Sequence, residues 1–127
     1  MRLALDTNRY TDLARGDAEL RELLERAEAV FLPFVVLAEL RAGFQGGRRA
    51  QQNERALTRF LQQPGVEALW PTESTTRIWA GLYLQLRRAG TPIPMNDLWI
   101  AALVVEHDLA LATRDGHFRH LPQLPLV

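Results

Sequence analysis

A chain of 127 residues, 47% hydrophobic and 24% charged, has the make-up of one globular domain with a single buried core. Its 15 basic and 15 acidic side chains cancel, so no whole-molecule field draws it to a polyanion and any such partner must be held by a local patch. Cysteine is absent, which excludes disulfides, thiolate catalysis and thiolate-held zinc. No apolar run approaches membrane-spanning length, and Asp6 interrupts any signal-peptide pattern at once, so a cytoplasmic location without membrane contact is the expectation. Lysine is absent too; every lysine or arginine position is arginine. The plainest explanation for that bias is a GC-rich genome. Its consequence is chemical: Walker-A phosphate binding, Schiff-base catalysis and the lysine-assisted phosphoryl-aspartate folds are all removed.

The chain opens on Leu3-Ala4-Leu5, an apolar run too short for a helical period, which reads as a buried strand ending in Asp6-Thr7-Asn8. Arg9 to Arg15 suggests one or two helical turns ending at Gly16. Asp17 then caps a helix through Ala27, with Leu20, Leu23, Leu24 and Ala27 on one face. Ala29 to Leu32 is a second strand, bounded by Pro33. A helix over Phe34–Ala42 closed by Gly43 follows, and after Gly46-Gly47 another over Arg48–Gln62. Arg48, Arg55 and Arg59 form a stripe on that last helix, either a solvated face or a contact for RNA or a partner. Pro64-Gly65 turns the chain into a weaker strand over Val66–Trp70. A long helix spans Thr72–Ala89 and stops at Gly90.

After a proline-punctuated loop, Asn96 is expected to cap a helix over Asp97–His107 that is apolar on nearly all sides and therefore buried. Leu109 to Ala112 is a fourth strand, and Leu124 to Val127 can add an edge strand, with Pro122 and Pro125 restricting its pairing. Strands alternating with helices across residues 1–127 predict a single α/β domain: a three-layer α/β/α sandwich with a mostly parallel sheet of four to five strands.

In such a sheet helix N-termini and strand C-termini share one edge, where ligands bind. Four acids fall there. Asp6 follows the first strand, although Asp6 or Thr7 could serve as a helix N-cap. Glu39 shares a helical face with Val35 and Val36, so it needs a metal, or a partner such as Arg41 or Arg77, to offset desolvation. Asp97 lies in the first turn of its helix, where the helix dipole alone would favour it. Asp115 follows the fourth strand in an Asp-Gly pair that would also suit a turn. Each has a structural explanation, yet one shared site explains all four. At about 6 Å and an effective dielectric near 20, each like-charged pair costs ~3 kcal/mol, so cations must hold them together. Oxygen-only ligation suits Mg²⁺ or Mn²⁺, ions that activate water and stabilise charge on a phosphoryl oxygen. Metal-assisted phosphodiester hydrolysis is the reaction class that follows.

Four segments then resemble a PIN-domain ribonuclease of the VapC toxin type: Leu5-Asp6-Thr7-Asn8, Ala38 through Gly43, Asn96 through Ala102, and Ala112 through Phe118. The resemblance covers nearly the whole chain, in order. It implies a Mg²⁺- or Mn²⁺-dependent endoribonuclease that forms a homodimer and is inhibited by a cognate antitoxin. It also implies that Asp6 and Asp97 ligate metal, that Glu39 and Asp115 do so directly or through water, and that Thr113 and Asn8 support the site. Arg41 and Arg114 are candidates for substrate phosphate, or for pairing with the acids. His117 reads as a general base or, more simply, as a turn or core histidine. The competing expectations are a protein-interaction module whose acids are structural, and a PIN-type nuclease acting on DNA.

Overall fold

The computed structural model describes residues 1–127. Four strands, β1 (Arg2–Leu5), β2 (Ala29–Pro33), β3 (Val66–Leu69) and β4 (Ala110–Ala112), pair entirely in parallel in the order β3-β2-β1-β4. Six α-helices connect them: α1 (Thr7–Ala14), α2 (Ala18–Arg26), α3 (Phe34–Gln45), α4 (Ala50–Leu61), α5 (Glu73–Ala89) and α6 (Met95–Glu106). Consecutive residues of the central strands are buried, Leu3, Ala4 and Leu5 in β1 and Val30 through Leu32 in β2. Successive strand side chains point to opposite faces, so both faces of the sheet are covered, as the expected three-layer architecture requires. The core continues into α6, where Leu98 and Ile100 through Val104 are all buried.

The strand order places the site. From β1 the chain steps outward to β2 and β3, then returns to the other flank of β1 to lay down β4. The crevice between the C-terminal ends of β1 and β4 is therefore the point where the winding reverses, the usual ligand position in open α/β sheets. Register fixes its walls. Leu5 pairs with Ala112, and the Asp6 amide donates to the Ala112 carbonyl at 3.0 Å, so Asp6 and Thr113 leave the sheet side by side.

Several boundaries differ from those read in the sequence. Gly43 does not end α3; the helix runs on to Gln45, and Gly46 caps it with an amide bonded to the Ala42 carbonyl. An interior glycine costs a helix only about 1 kcal/mol, which packing of Val35, Val36, Leu37 and Leu40 offsets. Asn96 is not a cap: α6 starts one residue before it, after Pro94, whose fixed φ suits a helix entry, and Asp97 stays in the first turn. The last apolar run forms no fifth strand. It contributes one parallel bridge, Leu126 to Leu111, because Pro122 before the run and Pro125 within it lack the amide donors a ladder needs. Helix α5 begins at Glu73 with Thr72 as its cap, the Thr72 amide donating to Thr75 Oγ1 at 2.9 Å, and Gly90 closes that helix as expected, in the left-handed region at φ 71°.

Candidate active site

Asp6 is both the N-cap of α1 and a wall of the crevice. Oδ1 accepts the Thr7 amide at 2.8 Å, and Oδ2 accepts the Thr113 hydroxyl at 2.6 Å. The capping role thus belongs to Asp6 itself, and the same carboxylate caps α1 and faces the crevice. It is 5% exposed. Burial pushes its pKa up; the Thr113 and Thr7 hydrogen bonds oppose this, and repulsion from Glu39 and Asp115 adds to it. Asn8 Nδ2 stands 3.5 Å from Oδ2, a contact too long to hold the carboxylate firmly.

Asp97 reaches the same crevice from the first turn of α6 and is also buried. Burial again raises its pKa, against the His117 hydrogen bond, with further upward pressure from Asp115 and Asp6. Asp115 caps a 3₁₀ turn over Gly116–His120, accepting the His117 amide at 2.9 Å, while its own amide donates to Thr113 Oγ1 at 3.0 Å. The Thr113 hydroxyl therefore donates a hydrogen bond to Asp6 and accepts one from the Asp115 amide. That single hydroxyl couples the two strand ends.

Glu39 joins from the second turn of α3, accepting the Thr7 hydroxyl at 2.8 Å. It is exposed, which corrects the expectation that it shares a desolvated face with Val35 and Val36. Neither proposed arginine pairs with it: Arg41 forks onto Glu54 at 3.0 and 3.2 Å, and Arg77 bonds Glu73. Asp6 thus feels the charge of both Glu39 and Asp115, and Asp97 that of Asp115 and Asp6, so Asp6 links Glu39 to the other acids.

His117 is neither a core residue nor idle. Its Nδ1 lies 2.8 Å from Asp97 Oδ2 and 3.0 Å from Asp115 Oδ1, and the hydrogen bond to Asp97 raises its pKa most. One ligand atom each from Asp97, Asp115 and His117 lie within 4.8 Å of one another. The signal for it was local: His117 lies two residues beyond Asp115, inside a turn that Asp115 itself caps. Arg114, by contrast, is directed away from the acids, onto Asp12. The pattern over Arg9–Arg15 suggests one or two helical turns but assigns Asp12 no partner; in the eight-residue α1, Asn8 and Asp12 share one face at i and i+4.

The donor set fits a divalent cation. Two buried carboxyls whose pKa values are raised by burial and like charge gain from a cation placed between them, and oxygen donors dominate.

The PIN domain family model matches residues 3–124 of this chain. Ribonuclease VapC4 of Mycobacterium tuberculosis is 32% identical over 93 residues, covering 73% of this chain and 72% of that protein. Among solved structures, VapBC-1 from nontypeable Haemophilus influenzae superposes with a TM-score of 0.88 at 26% identity, over 100% of this chain and 97% of that one. VapBC2 from Rickettsia felis, bound to a DNA fragment from its promoter, does so with a TM-score of 0.85 at 26% identity, over 100% and 98%. With the family model matching residues 3–124 and a relative 32% identical over most of its length, the chain belongs to the PIN-domain family.

Proposed function

We propose that this protein is a metal-dependent endoribonuclease, the toxin of a toxin–antitoxin pair. One observation carries the reading: Asp6, Asp97, Asp115 and Glu39 come from four separate elements to a single crevice, and two of them are held buried against mutual repulsion. The similarity to VapC ribonucleases, and to structures of VapBC complexes, supports RNA as the substrate and an antitoxin as the partner. A homodimer and a cytoplasmic location accompany that reading. No helix is long and apolar enough to cross a membrane.

Asp6 and Asp97 would hold a Mg²⁺ or Mn²⁺ ion, with Asp115 and Glu39 placed to ligate directly or through water. Such an ion would supply charge to polarise a phosphoryl oxygen and would lower the pKa of water, so that hydroxide is available as the nucleophile. The chain's own part is orientation. Thr113 fixes Asp6 Oδ2, Thr7 fixes Glu39, and Asn8 and Asp115 set the loop after β4. His117, shared between two of the acids, is a place where a proton can be held close to the reacting centre. Arg41 and Arg114 each spend Nε and Nη2 on a carboxylate fork, which leaves their Nη1 donors for a substrate phosphate.

Incubation with structured RNA and Mg²⁺ or Mn²⁺ tests the proposal. Internal cleavage abolished by EDTA is the expected result, with the matching DNA left intact. Cleavage that survives EDTA would overturn it.

A further inference from the structure

Strand β4 has only three residues, so little sheet holds the loop that carries Thr113 and Asp115. Helix α1 grips that loop instead, at two points one helical turn apart. Asn8 Oδ1 accepts the Arg114 amide at 3.2 Å. Asp12 accepts Arg114 Nε at 2.7 Å and Nη2 at 3.1 Å, a bidentate fork between residues 102 positions apart. Arg9 Nη1 braces the same carboxylate from its own helix at 2.8 Å. Planar arginine–carboxylate forks fix direction as well as distance.

The two neighbours of Arg114 are the residues whose placement matters. Thr113 bonds Asp6, and Asp115 stands beside Asp97 and His117. The Asp12 side chain is 16% exposed and engaged by two arginines, so it is not itself available to metal or substrate; whatever it does, it does through Arg114. A surface ion pair with no further role would need neither the second grip from Asn8 nor an acid so enclosed.

We propose that Asp12 is a positioning residue for the metal site: its fork on Arg114 sets the 113–115 loop so that Thr113 and Asp115 meet Asp6 and Asp97 in the arrangement a divalent cation requires. This rests on the metal-dependent nuclease reading above. Residues that orient metal ligands from behind typically change affinity or rate by 10- to 100-fold, and Asp12, one residue further removed, belongs at the lower end.

The test uses the full chain as wild type, Asp12→Asn, Arg114→Lys, the double variant and Asp12→Glu. Free Mn²⁺ is followed by electron paramagnetic resonance, alongside RNA cleavage kinetics. The Mn²⁺ dissociation constant should rise about tenfold in each of Asp12→Asn and Arg114→Lys. The value of kcat should fall by a similar factor with KM for RNA unchanged. The double variant should be no worse than either single, since both break one fork, and Asp12→Glu should recover part of the loss. Unchanged Mn²⁺ affinity with only a lower melting temperature would overturn the proposal, as would additive losses in the double variant. A rise in KM alone would assign Arg114 to RNA phosphate and overturn it equally. Should Asp12→Asn not fold, Arg114→Lys carries the same measurements. Absence of metal-dependent cleavage in the wild type would instead sink the nuclease reading, and the Mn²⁺ titration would still decide the fork.

Discussion

The two ends of the sheet carry charge in opposite ways. At the N-terminal end opposites meet in the open: the Met1 amino group lies 3.3 Å from Glu28 Oε1, and Arg2 Nη1 donates to the His107 carbonyl at 2.9 Å while stacking over Phe31. At the C-terminal end like charges are gathered and partly buried. Asp6 and Asp97 repel each other and Asp115, with no arginine among them, and His117 supplies the one titratable cation. Compensated surface charge costs a fold little and contributes little. Uncompensated buried charge costs it stability, and persists where something outside the chain supplies the missing counter-charge.

The largest effect should come from removing a charge at the repelling end. Asp97→Asn should lower RNA cleavage by at least about 100-fold, because the same carboxylate would hold the cation and face His117. Turnover within a few fold of wild type, measured under saturating Mn²⁺, would dissolve the contrast between the two ends.

Metal-free stability should move the other way. Asp6→Asn removes a buried repulsion while its amide oxygen still accepts one of the Thr7 and Thr113 bonds. In EDTA it should raise the melting temperature by a few °C, and Mg²⁺ should raise that of the wild type but barely that of the variant. A lower melting temperature for the metal-free variant would make Asp6 a structural acid.

The same end predicts the pH dependence. Asp6 and Asp97 have folded pKa values raised above 3.8, mainly by burial, so the folded chain binds their protons more tightly than the unfolded chain does. Their contribution to stability is fully present below pH 3.8 and is lost as pH rises through the raised values. Asp12, held low chiefly by its Arg114 hydrogen bond, contributes with the opposite sign. The difference in unfolding free energy between wild type and Asp6→Asn, measured in urea and EDTA, should therefore grow in the variant's favour on raising the pH from about 3.8. A difference independent of pH would show that the carboxyl is not the cause. At the compensated end, Glu28→Gln should change stability by no more than about 0.5 kcal/mol and leave cleavage untouched.

Much of this was legible along the chain because it depends on local pattern. Short apolar runs ending in Asp6 and just before Asp115, and the all-apolar helix beginning near Asp97, mark strand ends and helix starts without reference to neighbours. Glu39 was legible as a member of the group but for a faulty reason. Its helical phase relative to Val35 and Val36 suggested burial, yet Glu39 lies at the exposed rim, held by Thr7. His117 was legible as a candidate through its place two residues beyond Asp115, but its bond to Asp97, like the fork of Asp12 on Arg114, depends on contacts across longer separations.

The sequence by itself determined the element order, the parallel α/β class and which acids are available, because periodicity and chain direction are properties of consecutive residues. Only the tertiary structure decided which side chains meet. Pairing of Leu5 with Ala112 brings Thr113 against Asp6, and α1 lying along the loop after β4 joins Asp12 to Arg114. Those contacts follow from strand register and helix packing, and both are settled by the whole core at once.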